Sequence, residues 1–143
     1  MVLVDTSVWI DVLRDSRGAK RDALARAVGD AEVVLTRFNQ LELLQGCRDE
    51  TEWGLLKPYL DAQEYLEPSV LGWVEAARAY LDLRRRGRSV RSPIDCCIAQ
   101  AAIEHDAMLL HRDRDFEAIA EIRPLRQQWI DWSRSRRLRH PRD

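Results

Sequence analysis

Apolar residues fall into two kinds of segment along this chain. Val2-Leu3-Val4, Val33-Val34-Leu35 and Met108-Leu109-Leu110 are short continuous runs with no period of their own, the pattern of strands buried on both faces. Between them, apolar residues recur at helical spacing. Val8 to Asp11 follows the first run, Ala23 to Val28 leads to the second, and Phe38, Leu41, Leu43 and Leu44 form a stripe after it. Residues 50–62 carry Trp53, Leu56 and Leu60 on one side, with Pro58 as a kink point. Ser69 to Arg86 is the longest periodic stretch, with Val70, Trp73, Val74, Ala77, Tyr80 and Leu81 at i, i+3, i+4 positions. Ile98 to Ile103 is an alanine-rich helix suited to close packing on a sheet, and a further short helix runs to Ile122. Tyr65-Leu66 reads as a minor strand and Leu125 to Trp132 as a last edge strand. Alternating strands and helices predict an α/β domain: three layers, with a central, mostly parallel sheet of about four to five strands between helices.

Local punctuation agrees with these boundaries. Asp15-Ser16-Arg17-Gly18 is a turn, Gly29-Asp30 a stop, Thr36 a helix cap and Gly46 a helix end. Arg84-Arg85-Arg86 places cations at a negative helix end before Gly87. Ser92-Pro93-Ile94-Asp95 offers an N-cap, a proline at the first helical position and an acid three after the cap, so Asp95 has a structural reason to be there.

Composition narrows the picture. A chain of 143 residues makes one domain with a sizeable core. Cys47, Cys96 and Cys97 form no even disulfide framework and no C-x-x-C spacing, and read as small buried hydrophobes in a reducing compartment. No apolar run approaches the ~20 residues of a membrane span, and the expected location is the cytoplasm. The net charge of −1 hides an asymmetry: residues 1–132 hold 18 Lys/Arg against 23 Asp/Glu, whereas residues 133–143 hold five Arg against one Asp. The expected organisation is one domain over 1–132 and a basic, mobile tail over 133–143. The Arg84–Arg91 run and the tail can each serve as a phosphate-binding patch or as an ordinary solvated basic surface.

Four acids stand at element ends. Asp5 follows the first strand, Glu42 lies on the helix after the second, Asp95 opens a helix, and Asp113 follows the late strand Met108–Leu110. With the first strand central and the second and late strands on either side of it, the strand order reverses beside Asp5 and opens a crevice there. Four converging carboxylates repel one another unless a cation compensates. Oxygen-only ligands select Mg²⁺, with Mn²⁺ as the alternative, whereas Zn²⁺ asks for His or Cys. Such a site suits phosphodiester hydrolysis by metal-activated water. Asp115, on the same loop as Asp113, is a fifth candidate, acting through water.

Asp5-Thr6-Ser7-Val8, Glu42-Leu43-Leu44-x-Gly46, Asp95-x-x-Ile98-Ala99 and Leu109-Leu110-x-x-Asp113-x-Asp115-Phe116 resemble, in order and spacing, the four acidic motifs of PIN-domain nucleases. The resemblance covers residues 1 to about 130, and the small size is similar to the VapC toxins of bacterial VapBC toxin–antitoxin pairs. It implies a Mg²⁺/Mn²⁺-dependent endoribonuclease that leaves a 3′-hydroxyl and a 5′-phosphate. It further implies a homodimer acting on RNA such as tRNA or rRNA and neutralised by a VapB-type antitoxin. By the same resemblance Asp5, Glu42, Asp95 and Asp113 are metal ligands, Asp115 an auxiliary one, and Thr6 or Ser7 a hydrogen-bonding residue of the site. His111 departs from the Thr or Ser of many relatives, and is either a substrate contact or a plain strand-end histidine.

Other readings compete with this one. A phosphate-accepting receiver domain needs a lysine beyond a later strand, and neither Lys20 nor Lys57 follows one. A haloacid-dehalogenase-like phosphatase needs a second acid two after Asp5, where Ser7 stands. A housekeeping RNA-processing nuclease, or an inactive RNA- or protein-binding module of the same fold, keeps the architecture and changes the role.

Overall fold

The computed structural model describes residues 1–133, so the expected basic tail lies, past Ser133, outside the described residues. Strand β1 (Val2–Val4) is buried throughout and forms the middle of the sheet. It pairs in parallel with β2 (Val33–Thr36) on one side and β4 (Met108–His111) on the other, Leu3 lying opposite Val34 and Leu109. β3 (Glu64–Leu66) extends the sheet beyond β2, and β5 (Gln127–Trp129) beyond β4, giving the order β3-β2-β1-β4-β5. All five strands are parallel, where a mostly parallel sheet was expected. Parallel pairing requires a crossover, and every connection carries a helix. These helices are α1 (Thr6–Arg14) and α2 (Ala19–Val28), then α3 (Arg37–Gln45) and α4 (Glu50–Asp61), then α5 (Val70–Arg85) and α6 (Pro93–Glu104), and finally α7 (Arg114–Ala120).

Successive strand residues point to opposite faces, so a three-residue strand feeds two cores. Leu3, Val34 and Leu109 pack with Ala76, Ala79 and Leu83 of α5, the alanines of α6, and Phe116 of α7. Val2, Val4, Leu35 and Leu110 pack on the other face with Val8, Trp9, Leu24, Leu43 and Leu60 from α1 to α4. Helix α4 runs through Pro58 as one element.

Two helices turn a different side inward from the one their apolar stripes mark. On α5 the buried residues are Gly72, Ala76, Ala79 and Leu83, while Val70, Trp73 and Val74 are exposed. Close packing against α6 is made through the small residues Ala76 and Ala79, and the Glu104 side chain of α6 lies over Gly72. On α3 the buried pair is Asn39 and Leu43, and Leu41 is exposed. Gly46 ends α3, as expected, in right-handed geometry with φ −80°, whereas Gly87, with φ +73°, follows α5 in left-handed geometry.

Candidate functional site

The carboxyl ends of β1, β2 and β4 lie side by side at the point where strand order reverses, and the chain leaves each of them through a polar cap. Asp5 caps α1: its Oδ2 accepts hydrogen bonds from the Ser7 amide at 3.0 Å and the Ser7 hydroxyl at 2.7 Å. Ser7 Oγ in turn accepts from the Arg112 amide at 3.0 Å, tying the end of β1 to the loop after β4. Thr36 and Asn39 form a capping box at the start of α3, which fixes the buried Asn39 side chain. That amide donates to Asp5 Oδ1 at 3.3 Å and to Thr6 Oγ1 at 3.0 Å. One helical turn later, Glu42 Oε1 accepts from the Thr6 hydroxyl at 3.3 Å.

The other half of the site comes from α6 and α7. Ser92 caps α6 by accepting from the Ile94 amide, so the carboxylate of Asp95 has no capping duty there. Asp113 caps α7, its Oδ1 accepting from the Asp115 amide at 3.0 Å. Asp95, Asp113 and Asp115 each offer an oxygen, and these atoms all lie within 4.8 Å of one another. Asp5 and Glu42 fall outside that tight set among the described residues, yet their charges act on it: Asp5 on Asp95, and Asp113 on both Asp5 and Glu42.

The electrostatics follow from burial and like charge. Burial pushes the Asp95 carboxyl up to about 8, helped by the negative charge of Asp113, a hydrogen bond with Asp115 and the charge of Asp5. Burial also raises Asp5, outweighing the hydrogen bonds from Ser7. Glu42 is raised by burial and then by Asp5. Asp5, Glu42 and Asp95 resist ionising, and together with Asp113 and Asp115, which Arg91 pairs, they offer oxygen donors only, a set that fits a hard divalent cation. Buried Cys96, by contrast, is pushed up to about 12 by burial and stays a thiol.

The family model of the PIN domain matches residues 2–122, a span that includes all five acids. The chain belongs to the PIN-domain family. Within it, the chain is 32% identical over 125 residues to the VapC ribonuclease Mb1587 of Mycobacterium bovis, covering 85% of this chain and 93% of that one. It is 34% identical over 128 residues to ribonuclease VapC51 of Mycobacterium tuberculosis, covering 90% and 91%. Its fold superposes on a chain of the VapBC2 complex from Rickettsia felis, solved bound to a promoter DNA fragment, with a TM-score of 0.73 at 17% identity, covering 92% of this chain and all of that one.

In this PIN domain the sequence-predicted acids occupy one end of the sheet, and Thr6 and Ser7 both hydrogen-bond there. Asp115, expected as a fifth candidate on the same loop, lies in the tight triad with Asp95 and Asp113. His111 is fully buried, which removes it as a substrate contact. Its Nε2 pairs with Gln127 Oε1 at 2.6 Å, and its Nδ1 accepts from the Asp113 amide at 3.0 Å, so it sets the backbone of Asp113. Asn39 and the ion pairs of Arg91 with Asp113 and Asp115 were missed. The spacing Thr36-x-x-Asn39 was the available signal for the first; nothing in an arginine run marks which member turns inward.

Asn39→Ala is expected to lower RNA cleavage about 10- to 100-fold by freeing Asp5 and Thr6, the usual cost of losing a residue that orients a ligand. Loss of the capping box lowers stability by about 1 kcal/mol in parallel. Unchanged cleavage with only the stability loss would reduce Asn39 to a helix cap.

Proposed function

We propose that this PIN domain, spanning residues 1–132, is the toxin of a type II toxin–antitoxin pair and hydrolyses RNA phosphodiester bonds with Mg²⁺ or Mn²⁺. The observation that carries the reading is the meeting of Asp95, Asp113 and Asp115 beside Asp5 and Glu42 at the switch point of the sheet. Asp5, Glu42, Asp95 and Asp113 would hold the ion, with Asp115 beside them. A divalent ion there supplies Lewis-acid activation of the attacking water and neutralises charge on the phosphodiester. The chain's own groups set the geometry: Ser7 and Asn39 fix both oxygens of Asp5, Thr6 steers Glu42, and His111 holds the turn that presents Asp113. Burial and the charge of Asp113 favour the protonated form of Asp95 near neutral pH, and a divalent cation held there would favour its carboxylate instead.

The partners proposed are RNA, a VapB-type antitoxin and a second copy of the chain. Leu41 on α3 and Val70, Leu71, Trp73 and Val74 on α5 support assembly, because they leave more apolar surface in water than folding requires. Among the described residues no helix is long and apolar enough to cross a membrane. The direct test incubates the purified chain with structured RNA and Mg²⁺ or Mn²⁺, with and without EDTA, and maps the ends. The expected result is metal-dependent internal cleavage giving 3′-hydroxyl and 5′-phosphate ends. Cleavage that persists in EDTA, or products carrying 2′,3′-cyclic phosphates, would overturn the metal-hydrolysis reading.

A further inference from the structure

The loop between α5 and α6 places an arginine on the acid cluster. Val90 is buried in the core beneath this loop, and Arg88 on its other side pairs with Glu121 at 2.9 Å. Between these anchors and the cap residue Ser92, Arg91 turns toward the site. Its Nη2 donates to Asp113 Oδ2 at 2.5 Å, and its Nε to Asp115 Oδ2 at 3.2 Å. Its backbone amide donates to the same Asp115 oxygen at 3.1 Å. Two members of the triad are therefore clasped by one guanidinium from their own chain.

The hydrogen-bond pattern leaves little room for neutrality between this arginine and an ion. Asp113 Oδ1 already accepts from the Asp115 amide, and Oδ2 is taken by Arg91, so both oxygens of Asp113 are engaged. An ion that binds Asp113 and Asp115 would share these carboxylates with the guanidinium, either on the same Oδ2 atoms or beside its positive charge at the remaining oxygens. The acids are well shielded, with side chains 14% and 15% exposed, while the Arg91 side chain is 77% exposed. The arginine can thus swing into water at small cost, because ion pairs of so exposed a group are weak.

We infer that Arg91 is a built-in competitor for the metal: it compensates the acids of the empty site and is displaced from Asp113 and Asp115 when a divalent cation binds. This inference rests on the metal-dependent reading above and adds a residue that sets the affinity of the site. It also gives Arg91 a task different from the phosphate binding expected of the Arg84–Arg91 run.

The test is calorimetric titration of the full chain with Mn²⁺, comparing wild type, Arg91→Gln and Arg91→Lys, with thermal unfolding of each in EDTA and in saturating Mn²⁺. Arg91→Gln is expected to bind Mn²⁺ roughly fivefold more tightly, in keeping with the strength of an exposed ion pair. Arg91→Lys should fall between it and wild type, since an ammonium cannot span two carboxylates as the fork does. In EDTA the Gln variant should melt below wild type, and in saturating Mn²⁺ the gap should close. Equal or weaker Mn²⁺ binding by Arg91→Gln, with wild type binding normally, overturns the inference and leaves the metal reading standing. No Mn²⁺ binding by any of the three overturns both.

Discussion

Asp95→Asn should reduce RNA cleavage by at least about 10²- to 10³-fold, the range for removing one preorganised charged or polar group from a reaction centre, and should raise the melting temperature of the metal-free protein. The two effects have one cause. Asp95 is held among Asp113, Asp115 and Asp5 in a shielded position that pushes its carboxyl up to about 8. The amide keeps the shape and removes the charge, so above that pH the metal-free native state loses a repulsion that the unfolded chain never has. At roughly 2–4 °C per kcal/mol for a domain of this size, even a modest relief is measurable. Asp5→Asn should be as damaging to cleavage while folding survives, because asparagine caps a helix about as well as aspartate. Assays of both purified variants, each with melting curves in EDTA and in Mg²⁺, check the pair. Retained cleavage by both would overturn the site assignment, and a lower melting point for Asp95→Asn in EDTA at pH 9 would show that Asp95 supports the fold after all.

The parts legible in the sequence are those set by local pattern. Val2-Leu3-Val4 and Met108-Leu109-Leu110 could only be strands buried on both faces, and the acids after them had to lie at the carboxyl edge once the strands were parallel. Helix faces were harder. Large apolar residues at helical spacing marked Val70, Trp73 and Val74 of α5, but packing against α6 chose the small residues Gly72, Ala76 and Ala79, and spacing alone does not rank size against bulk. For Asn39 the spacing from Thr36 could signal the capping box, but its reach to Asp5 and Thr6, 34 and 33 residues away, could not be read from local pattern. His111 looked like a residue at an accessible strand end, and only the packing of Phe116 and Trp129 around its ring shows that it is sealed. Ser92 was legible as the cap of α6 and Asp95 as an acid in its first turn; that the Asp95 carboxylate meets Asp113 and Asp115 could be seen only in three dimensions.

Metal binding should release about one proton per ion and strengthen by up to about tenfold per pH unit between pH 6 and 8, then level off. In the metal-free protein Asp95 holds its proton up to about pH 8, whereas the unfolded chain gives it up near the ordinary carboxylate value of 3.8. The stability this group contributes is therefore full at low pH and is lost as pH rises through the folded value, so in EDTA the melting point should fall between about pH 5 and 8. A divalent ion reverses the slope, because it binds the ionised form and must displace the proton. Raised Asp5 and Glu42 act in the same direction. The surface acids Asp15 and Asp82 are lowered by their hydrogen-bond partners, so their contributions change only in acid, below this window. Titration with Mg²⁺ or Mn²⁺ at pH 6, 7 and 8, in buffers of different ionisation enthalpy, reads affinity and proton release together. Equal affinity at pH 6 and 8 with no proton released would mean that Asp95 is ionised without the ion, and that the acids at this end of the sheet do not need a cation to coexist.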